Sequence, residues 1–276
     1  MGIMKLSIVT INYNNRNGLK RTLDSVISQS CKEFEWIVID GGSTDGSRDL
    51  IEQHHDSMSY WCSESDRGIY HAMNKGVAKA KGDYCLFLNS GDELCDSHVI
   101  ERLQSASFSA DIVSCDMYVD GNGRKNLRKS VESVNAYWVY DNTLYHPSTF
   151  IRREALIRCP YHEEFKTISD WVFFFEALVL QKCSYQHLPM AISVFCRDGI
   201  SNSPQFHDKA YSDKYNYLKN YFPAQYVDDK NSVTSLHYLS SDTARMSYVG
   251  QRLMLFLFRI VAFMDIKVFK PLLHML

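Results

Sequence analysis

The chain has no CxxC pair among its 8 cysteines, only 6 prolines in 276 residues, and no excess of either charge. Without CxxC spacing a structural zinc site is not expected. Several of the cysteines lie inside apolar runs and are expected to be reduced, buried thiols of a cytosolic protein. A formal net charge of −2 supplies no bulk attraction to nucleic acid, which is therefore not expected as a partner. No GxGxxG follows the first apolar run, which disfavours a dinucleotide oxidoreductase. That run is short and broken by Asn12, so no secretory signal is expected, and Gly2 is not followed by the Ser or Thr of a myristoylation site. Internal repeats and low-complexity linkers are also lacking.

What is present is a repeated pattern in the first hundred residues. Four short apolar runs each end in a polar, mostly acidic cluster. Residues 6–11 lead into Asn12-Tyr13-Asn14, and residues 35–39 into Asp40-Gly41-Gly42-Ser43-Thr44-Asp45. Residues 60–62 lead into Glu64-Ser65-Asp66-Arg67-Gly68, and residues 84–88 into Asn89-Ser90-Gly91-Asp92. Each run fits a buried strand, and helix-like segments lie between them. In a parallel α/β sheet the carboxyl ends of the strands share one edge, where ligands bind. The spacing therefore gathers the four clusters at one site and points to a nucleotide or phosphate-bearing ligand with a metal ion.

Periodicity predicts helices over 17–29, 46–55, 69–79 and 96–104, with strands over 6–11, 35–40, 58–63, 84–88 and 111–119. Asp120-Gly121-Asn122-Gly123 reads as a hairpin turn. A short strand is expected near 149–151, an apolar helix over 169–181, two strands over 183–188 and 191–195, a polar loop over 197–204, and a tyrosine-rich helix over 205–222. The high aromatic content, 17 Tyr and 15 Phe, is mostly core filling.

Several motifs now stand in a recognisable order: Thr10-Ile-Asn-Tyr-Asn14, Ile37-Val-Ile-Asp-Gly-Gly-Ser-Thr-Asp-Gly46, Glu64-Ser-Asp-Arg-Gly-Ile-Tyr-His-Ala-Met-Asn-Lys-Gly76 and Phe87-Leu-Asn-Ser-Gly-Asp92. Together they resemble family 2 glycosyltransferases, in the branch that includes colanic-acid-type exopolysaccharide transferases. The resemblance covers roughly residues 4–200 and implies an α/β GT-A fold, with a mostly parallel central sheet, and inverting transfer from a nucleotide diphosphate sugar; the residues beyond it read as a helical C-terminal extension. The chain is expected to divide into a transferase domain over 1–204, with a donor half over about 1–120 and an acceptor half over about 121–204, and a helical region over 205–276.

By that resemblance Thr10, Asn12 and Tyr13 frame the base of a nucleotide diphosphate sugar, and Asp40 accepts a hydrogen bond from a base N–H. A carboxylate at a strand end suits an imide or amide N–H; read alone, Asp40 is equally a turn residue before two glycines. Asp66 is expected at the ribose or sugar, with Lys75 near the diphosphate and Arg67 beside them, although an Asp–Arg surface turn would look the same. Asn89-Ser90-Gly91-Asp92 replaces the family's usual DxD motif, leaving Asp92 as the expected ligand of Mg²⁺ or Mn²⁺. Asp170, at the start of a helix, falls where the family places its catalytic base, since a sugar hydroxyl attacks well only as its proton is removed. Trp171 is either an acceptor platform or core. His146, in Tyr145-His146-Pro147 where relatives often carry His-Gln, contacts donor phosphates or acceptor, or is structural. Arg197, in a loop that covers the donor in relatives, is a candidate phosphate partner.

Residues 249–276 are strongly apolar yet hold Arg252, Arg259, Lys267 and Lys270. On a helical projection Arg252, Arg259 and Lys270 fall within about 20° of one another and Lys267 about 60° away. Two arginines seven apart argue against a spanning helix, whereas a basic stripe suits an anionic membrane surface. Docking on the domain, or on a second copy in a homodimer, is the competing reading. The expectation is a cytoplasmic transferase, peripheral on the inner face of the membrane, moving one sugar from a UDP-type donor to a glycan or lipid-linked acceptor in bacterial surface polysaccharide assembly. The rivals are a degenerate binding protein of the same fold and a sugar nucleotidyltransferase, whose glycine-rich basic loop is poorly matched by residues 12–18. A processive synthase would need spanning helices and a QxxRW-like motif.

Overall fold

The computed structural model describes residues 5–121, 123–196 and 204–221. The chain divides into two compact units, Met1–Lys214 and Tyr215–Leu276. The loop carrying Arg197 and the apolar segment over 249–276 lie outside the described residues. Among the described residues no helix is long and apolar enough to cross a membrane.

The first four strands are β1 (Leu6–Asn12), β2 (Glu35–Asp40), β3 (Tyr60–Ser63) and β4 (Tyr84–Phe87), linked by helices α1 (Arg16–Ile27), α2 (Ser47–Gln53) and α3 (Ile69–Lys79). All their mutual pairings are parallel, in the order β3-β2-β1-β4. Parallel strands covered on both faces are apolar throughout, and β1 is buried at every position. Alternate residues serve opposite faces. Leu6 and Ile8 of β1, with Trp36 and Val38 of β2, pack against Leu19, Leu23 and Val26 of α1 and Leu50 and Ile51 of α2. Val9 and Ile11, with Ile37 and Ile39, pack against Tyr70, Met73 and Val77 of α3. Successive helices thus cover one face and then the other, and the chain reverses its direction of travel between β1 and β4. That switch opens a crevice at the carboxyl ends of these two strands. Helix α3 lies very close to β1: a Cβ on Gly76 would fall 2.4 Å from Val9 Cγ1, so only glycine fits there.

Beyond β4 the sheet becomes mixed. The remaining elements are β5 (Glu93–Leu94), α4 (Val99–Gln104), β6 (Ile112–Gly121), β7 (Arg124–Arg128), α5 (Ala136–Asp141), β8 (Thr149–Arg152), α6 (Arg153–Arg158), α7 (Ser169–Phe174), β9 (Tyr185–Cys196) and α8 (Pro204–Leu218). Among the described residues the nine strands run β3-β2-β1-β4-β8-β6-β9-β5, with β7 paired to β6. β8 is antiparallel to both β4 and β6. β6 therefore points the same way as β4, and its carboxyl end reaches the same edge as the crevice. The two strands expected over 183–188 and 191–195 are one strand, β9, whose register to β6 shifts around Cys115 and Asp116. The helix expected over 169–181 widens after α7 into a π-helical stretch, Phe175–Leu180, closed by Gln181 N–H donating to Glu176 C=O at 2.8 Å. All eight cysteines are thiols; Cys85, Cys115 and Cys159 are buried, and the other five are only partly so.

Candidate active site

The loop after β1 and the loop after β4 flank the crevice and are tied together. Asn15 caps α1 by accepting from Gly18 N–H at 3.1 Å, and its Nδ2 donates to Ser90 C=O at 3.0 Å. The loop after β2 joins them through Asp45, whose carboxylate accepts the backbone N–H of Arg16 at 2.8 Å and of Ser47 at 3.0 Å. One acid thus satisfies open donors at the starts of both α1 and α2.

Asp40 lies beneath these loops with no exposed surface. Its Oδ1 accepts Asn12 Nδ2 at 2.7 Å and Ser43 Oγ at 2.6 Å; its Oδ2 accepts Ser43 N–H at 2.9 Å and Ser63 Oγ at 2.6 Å. Burial pushes this carboxyl up, but the hydrogen bonds from Ser43, Ser63 and Asn12 outweigh it and hold it below its usual value. All four acceptor directions are used, so Asp40 presents no open acceptor for a base N–H and instead fixes the ends of β1, β2 and β3. Thr10 is likewise removed from any ligand: it is fully buried and accepts Trp36 Nε1–H at 3.1 Å. Its side chain falls on the core face of β1, whereas Tyr13, two residues beyond Ile11, is 65% exposed at the crevice mouth. A Cβ on Gly41 would lie 3.1 Å from the Tyr13 ring and 3.5 Å from Asp66 Oδ2, so ring, backbone and carboxylate converge on one spot.

Asp66 accepts Lys75 Nζ at 2.8 Å and contacts His71 Nδ1 at 2.9 Å through Oδ1, while its Oδ2 is buried without a partner. Lys75 also pairs with Glu64 at 2.7 Å. Burial works against the Lys75 charge, but Asp66 and Glu64 raise its pKa above the ordinary lysine value and keep it protonated. Arg67 is turned away and pairs with Glu163 at 2.5 Å.

In the Asn89–Asp92 turn, Gly91 N–H donates to Thr22 Oγ1 at 3.0 Å and Asp92 N–H to Asn89 C=O at 2.9 Å. The Asp92 carboxyl is buried, and burial raises it to about 7 despite backbone donors from Cys196 and Asn89. Asn89 Oδ1 is buried without a hydrogen bond. A buried carboxyl that stays above its ordinary value even with the Arg21 charge nearby, and an orphaned amide oxygen in the same turn, are hard-oxygen donors of the kind Mg²⁺ and Mn²⁺ take. Among the described residues no three acids, histidines or cysteines cluster as a metal site, so a cation there would draw most of its ligands from phosphate and water.

Asp170 stands at the first turn of α7, partly exposed. Tyr70, on the first turn of α3 just beyond Asp66, donates its hydroxyl to Asp170 Oδ1 at 3.2 Å. Tyr70 stacks on Tyr161 at 5.8 Å, and the Tyr161 hydroxyl meets His146 Nε2 at 2.8 Å. Burial, then the Asp170 charge, push Tyr70 and Tyr161 well above the usual phenol range, so both stay protonated. Burial lowers His146 despite Asp170. His146 is thus a buried, neutral ring among Phe87, Tyr161 and Phe174, in the surroundings of a structural histidine. Trp171 packs as core: it is buried, donates Nε1–H to Val139 C=O at 2.6 Å and stacks on Phe175.

The sequence reading did not single out Ser43, Ser63, Tyr70, His71 or Tyr161. The Gly41–Asp45 run points to a shaped loop, and Tyr70 and His71 stand inside the Glu64–Gly76 motif, but nothing local pairs Tyr70 with Asp170 or Tyr161 with His146, which meet only through the fold.

Comparison with known proteins agrees with this architecture. A mycobacterial protein named an uncharacterized glycosyltransferase, from Mycobacterium tuberculosis, is 40% identical over 102 residues, 37% of this chain and 39% of that protein. The match thus spans about two fifths of that relative's length. A PGL/p-HBAD biosynthesis glycosyltransferase of Mycobacterium bovis is 28% identical over 186 residues, covering 63% of this chain and 69% of its own. Staphylococcus aureus TarS in complex with UDP-GlcNAc superposes with a TM-score of 0.62 at 20% identity, covering 82% of this chain and 70% of that one. The mannosyltransferase PcManGT of Pyrobaculum calidifontis, in complex with GDP-Man and Mn²⁺, gives 0.57 at 14% identity over 98% of this chain and 84% of that one. These likenesses establish the GT-A-type α/β fold. The Glycosyl transferase family 2 model matches residues 7–178, well over half of the chain, and the chain belongs to that family.

Proposed function

We propose that the chain is an inverting glycosyltransferase that moves one sugar from a nucleotide diphosphate sugar, a UDP-sugar above others, to a glycan or lipid-linked acceptor in bacterial surface polysaccharide assembly. The observation that carries this reading is Asp170: a partly exposed carboxylate at the start of α7, steered by the Tyr70 hydroxyl from the same segment that presents Asp66. The TarS complex with UDP-GlcNAc supports the choice of donor class, and the Mn²⁺ of the mannosyltransferase complex supports a divalent cation.

In this reading Tyr13 packs on the base at the mouth of the crevice, while Asp40 acts beneath, holding the β1, β2 and β3 ends in shape. Asp66 and Lys75 meet the ribose and diphosphate side of the donor; the unpartnered Asp66 Oδ2 takes a sugar hydroxyl as its donor. Asp92 and Asn89 would hold Mg²⁺ or Mn²⁺, which when bound offsets the charge of the departing diphosphate. Asp170 takes the proton of the acceptor hydroxyl as its oxygen bonds to the sugar's anomeric carbon, and the nucleoside diphosphate leaves from the opposite face. The anomeric configuration therefore inverts in one displacement. Tyr70 keeps Asp170 oriented, as a positioning residue.

The test is thermal stabilisation against UDP-, GDP-, CMP- and dTDP-linked sugars with Mn²⁺, Mg²⁺ or EDTA, followed by donor turnover. A ligand that binds the native state alone raises its stability by mass action. A selective shift, with turnover lost in Asp170→Asn and the shift retained, is the expected result. No shift with any nucleotide sugar overturns the reading; a shift without turnover in the unsubstituted chain points to a degenerate binding protein.

A further inference from the structure

The β6–β7 hairpin carries a charge pattern that the sugar-transfer reading does not use. β7 and the residue after it read Arg124-Lys125-Asn126-Leu127-Arg128-Lys129, four cations without an acid, in a chain whose net charge is −2. All six residues are exposed. Among the described residues no ion pair engages Arg124, Lys125, Arg128 or Lys129. Of the neighbouring acids, Asp116 meets His187 Nε2 at 2.8 Å and Ser130 N–H at 2.9 Å, while Asp120, which accepts Gly123 N–H at 3.0 Å, stands opposite Lys125, and Glu132 follows Lys129 by three residues, so the four cations outnumber the two nearby open acids.

Two further features give this patch a direction and a partner. The pairing Tyr118↔Leu127 and Asp120↔Lys125 places Leu127, Lys125 and, by alternation, Lys129 on one face of the ribbon with the partly exposed Tyr118 and Asp120, while Arg124 and Arg128 flank it from the other face. Leu127 is 51% exposed, an apolar side chain standing between cations. A soluble polyanion has no use for that leucine. A lipid leaflet uses both parts, the cations at the headgroups and the leucine and tyrosine at the acyl boundary. The second feature is position. β6 points the same way as β4, so the hairpin projects from the sheet edge that holds the crevice.

We propose that the β6–β7 hairpin is a docking element for an anionic phospholipid surface, turning the crevice edge toward the leaflet. The inference stands on the hairpin alone and does not depend on the sugar-transfer reading or on residues 249–276. The experiment is co-sedimentation of the full chain with vesicles of phosphatidylcholine alone and of phosphatidylcholine with about a third phosphatidylglycerol, at low and high salt. Each cation near an anionic leaflet tightens binding about fivefold, and salt screens it. Binding is expected only with phosphatidylglycerol, falling at least about tenfold in the fourfold variant R124Q/K125Q/R128Q/K129Q. A second variant, Leu127→Trp, reads insertion directly: its added fluorescence shifts to the blue and is quenched by brominated lipid. Unchanged binding in the fourfold variant would show that another segment carries the attachment and would overturn the proposal. So would a Leu127→Trp signal that vesicles leave unmoved, or capture of the chain by heparin with none by phosphatidylglycerol vesicles.

Discussion

Asp40→Asn separates two roles for the same side chain. As the hub described above, the carboxylate accepts four hydrogen bonds with no exposure to water. A hydrogen bond to a charged group contributes about 1.5–3 kcal/mol. An asparagine replaces one accepting oxygen with a donating NH₂. The Ser43 and Ser63 hydroxyls can rotate to accept from it, but the Ser43 N–H cannot. The least costly arrangement turns the new amide nitrogen toward Asn12, whose Oδ1 has no partner and which can flip to accept. One or two charge-assisted bonds are then lost, so the expected destabilisation is about 2–5 kcal/mol. Urea unfolding at neutral pH reads it, and nucleotide-sugar binding measured well below the midpoint should weaken only in so far as the loops loosen. The pH dependence has a definite sign. The native carboxyl lies below the unfolded value of 3.8, so its stabilisation is complete above 3.8 and is lost as pH falls through the lower native value. Asp40→Asn should erase that acid-side loss. A variant within about 0.5 kcal/mol of the parent, yet unable to bind any nucleotide sugar, would refute the hub and restore direct base contact.

Asp170→Asn should lower turnover by about 10²–10⁴ with donor binding retained, and Tyr70→Phe should shift the pH–rate profile with a smaller loss, as befits a positioning residue; equal turnover in Asp170→Asn sinks the base assignment. Asp92 predicts the opposite pH slope to Asp40: between the unfolded 3.8 and the native value of about 7 the folded state holds the extra proton, so in EDTA stability should fall as pH rises through that window, by at most about 4 kcal/mol. Asp92→Asn should flatten the slope, and an unaltered slope in urea titrations across that range would disprove the burial argument. Trp171→Phe leaves the Val139 carbonyl without its donor in a buried setting and should cost about 1–3 kcal/mol with the acceptor KM unchanged; a raised KM at parental stability would return Trp171 to the acceptor site.

The topology of the donor half was legible because its signals are local. β2 and α3 have the bounds that periodicity gives, Glu35–Asp40 and Ile69–Lys79, and the polar clusters after each strand do share one edge. The second half was less legible. β5 has two residues and exists only because β9 pairs with it, and β9 bridges a bulge that the pattern around Pro189 divided in two. A six-residue π-helical stretch has no signature separable from an α-helix in its apolar sequence.

The site shows a sharper version of the same division. A motif identifies a segment at the crevice, but within a strand end consecutive side chains alternate between crevice and core. Thr10 and Tyr13 sit in one motif, and the first is fully buried while the second is 65% exposed. Asp40 and Asp66 end adjacent strands with the same side chain, yet one has every acceptor direction filled and the other keeps a free oxygen. The distinction lies in which hydroxyls the fold brings near: Ser43 from the following turn and Ser63, 23 residues away in sequence on β3. A residue's type and place in a motif bring it to the crevice. Whether it faces a ligand or holds the residue that does depends on partners supplied by other strands, and for Asp170 that partner is Tyr70, 100 residues earlier in the chain.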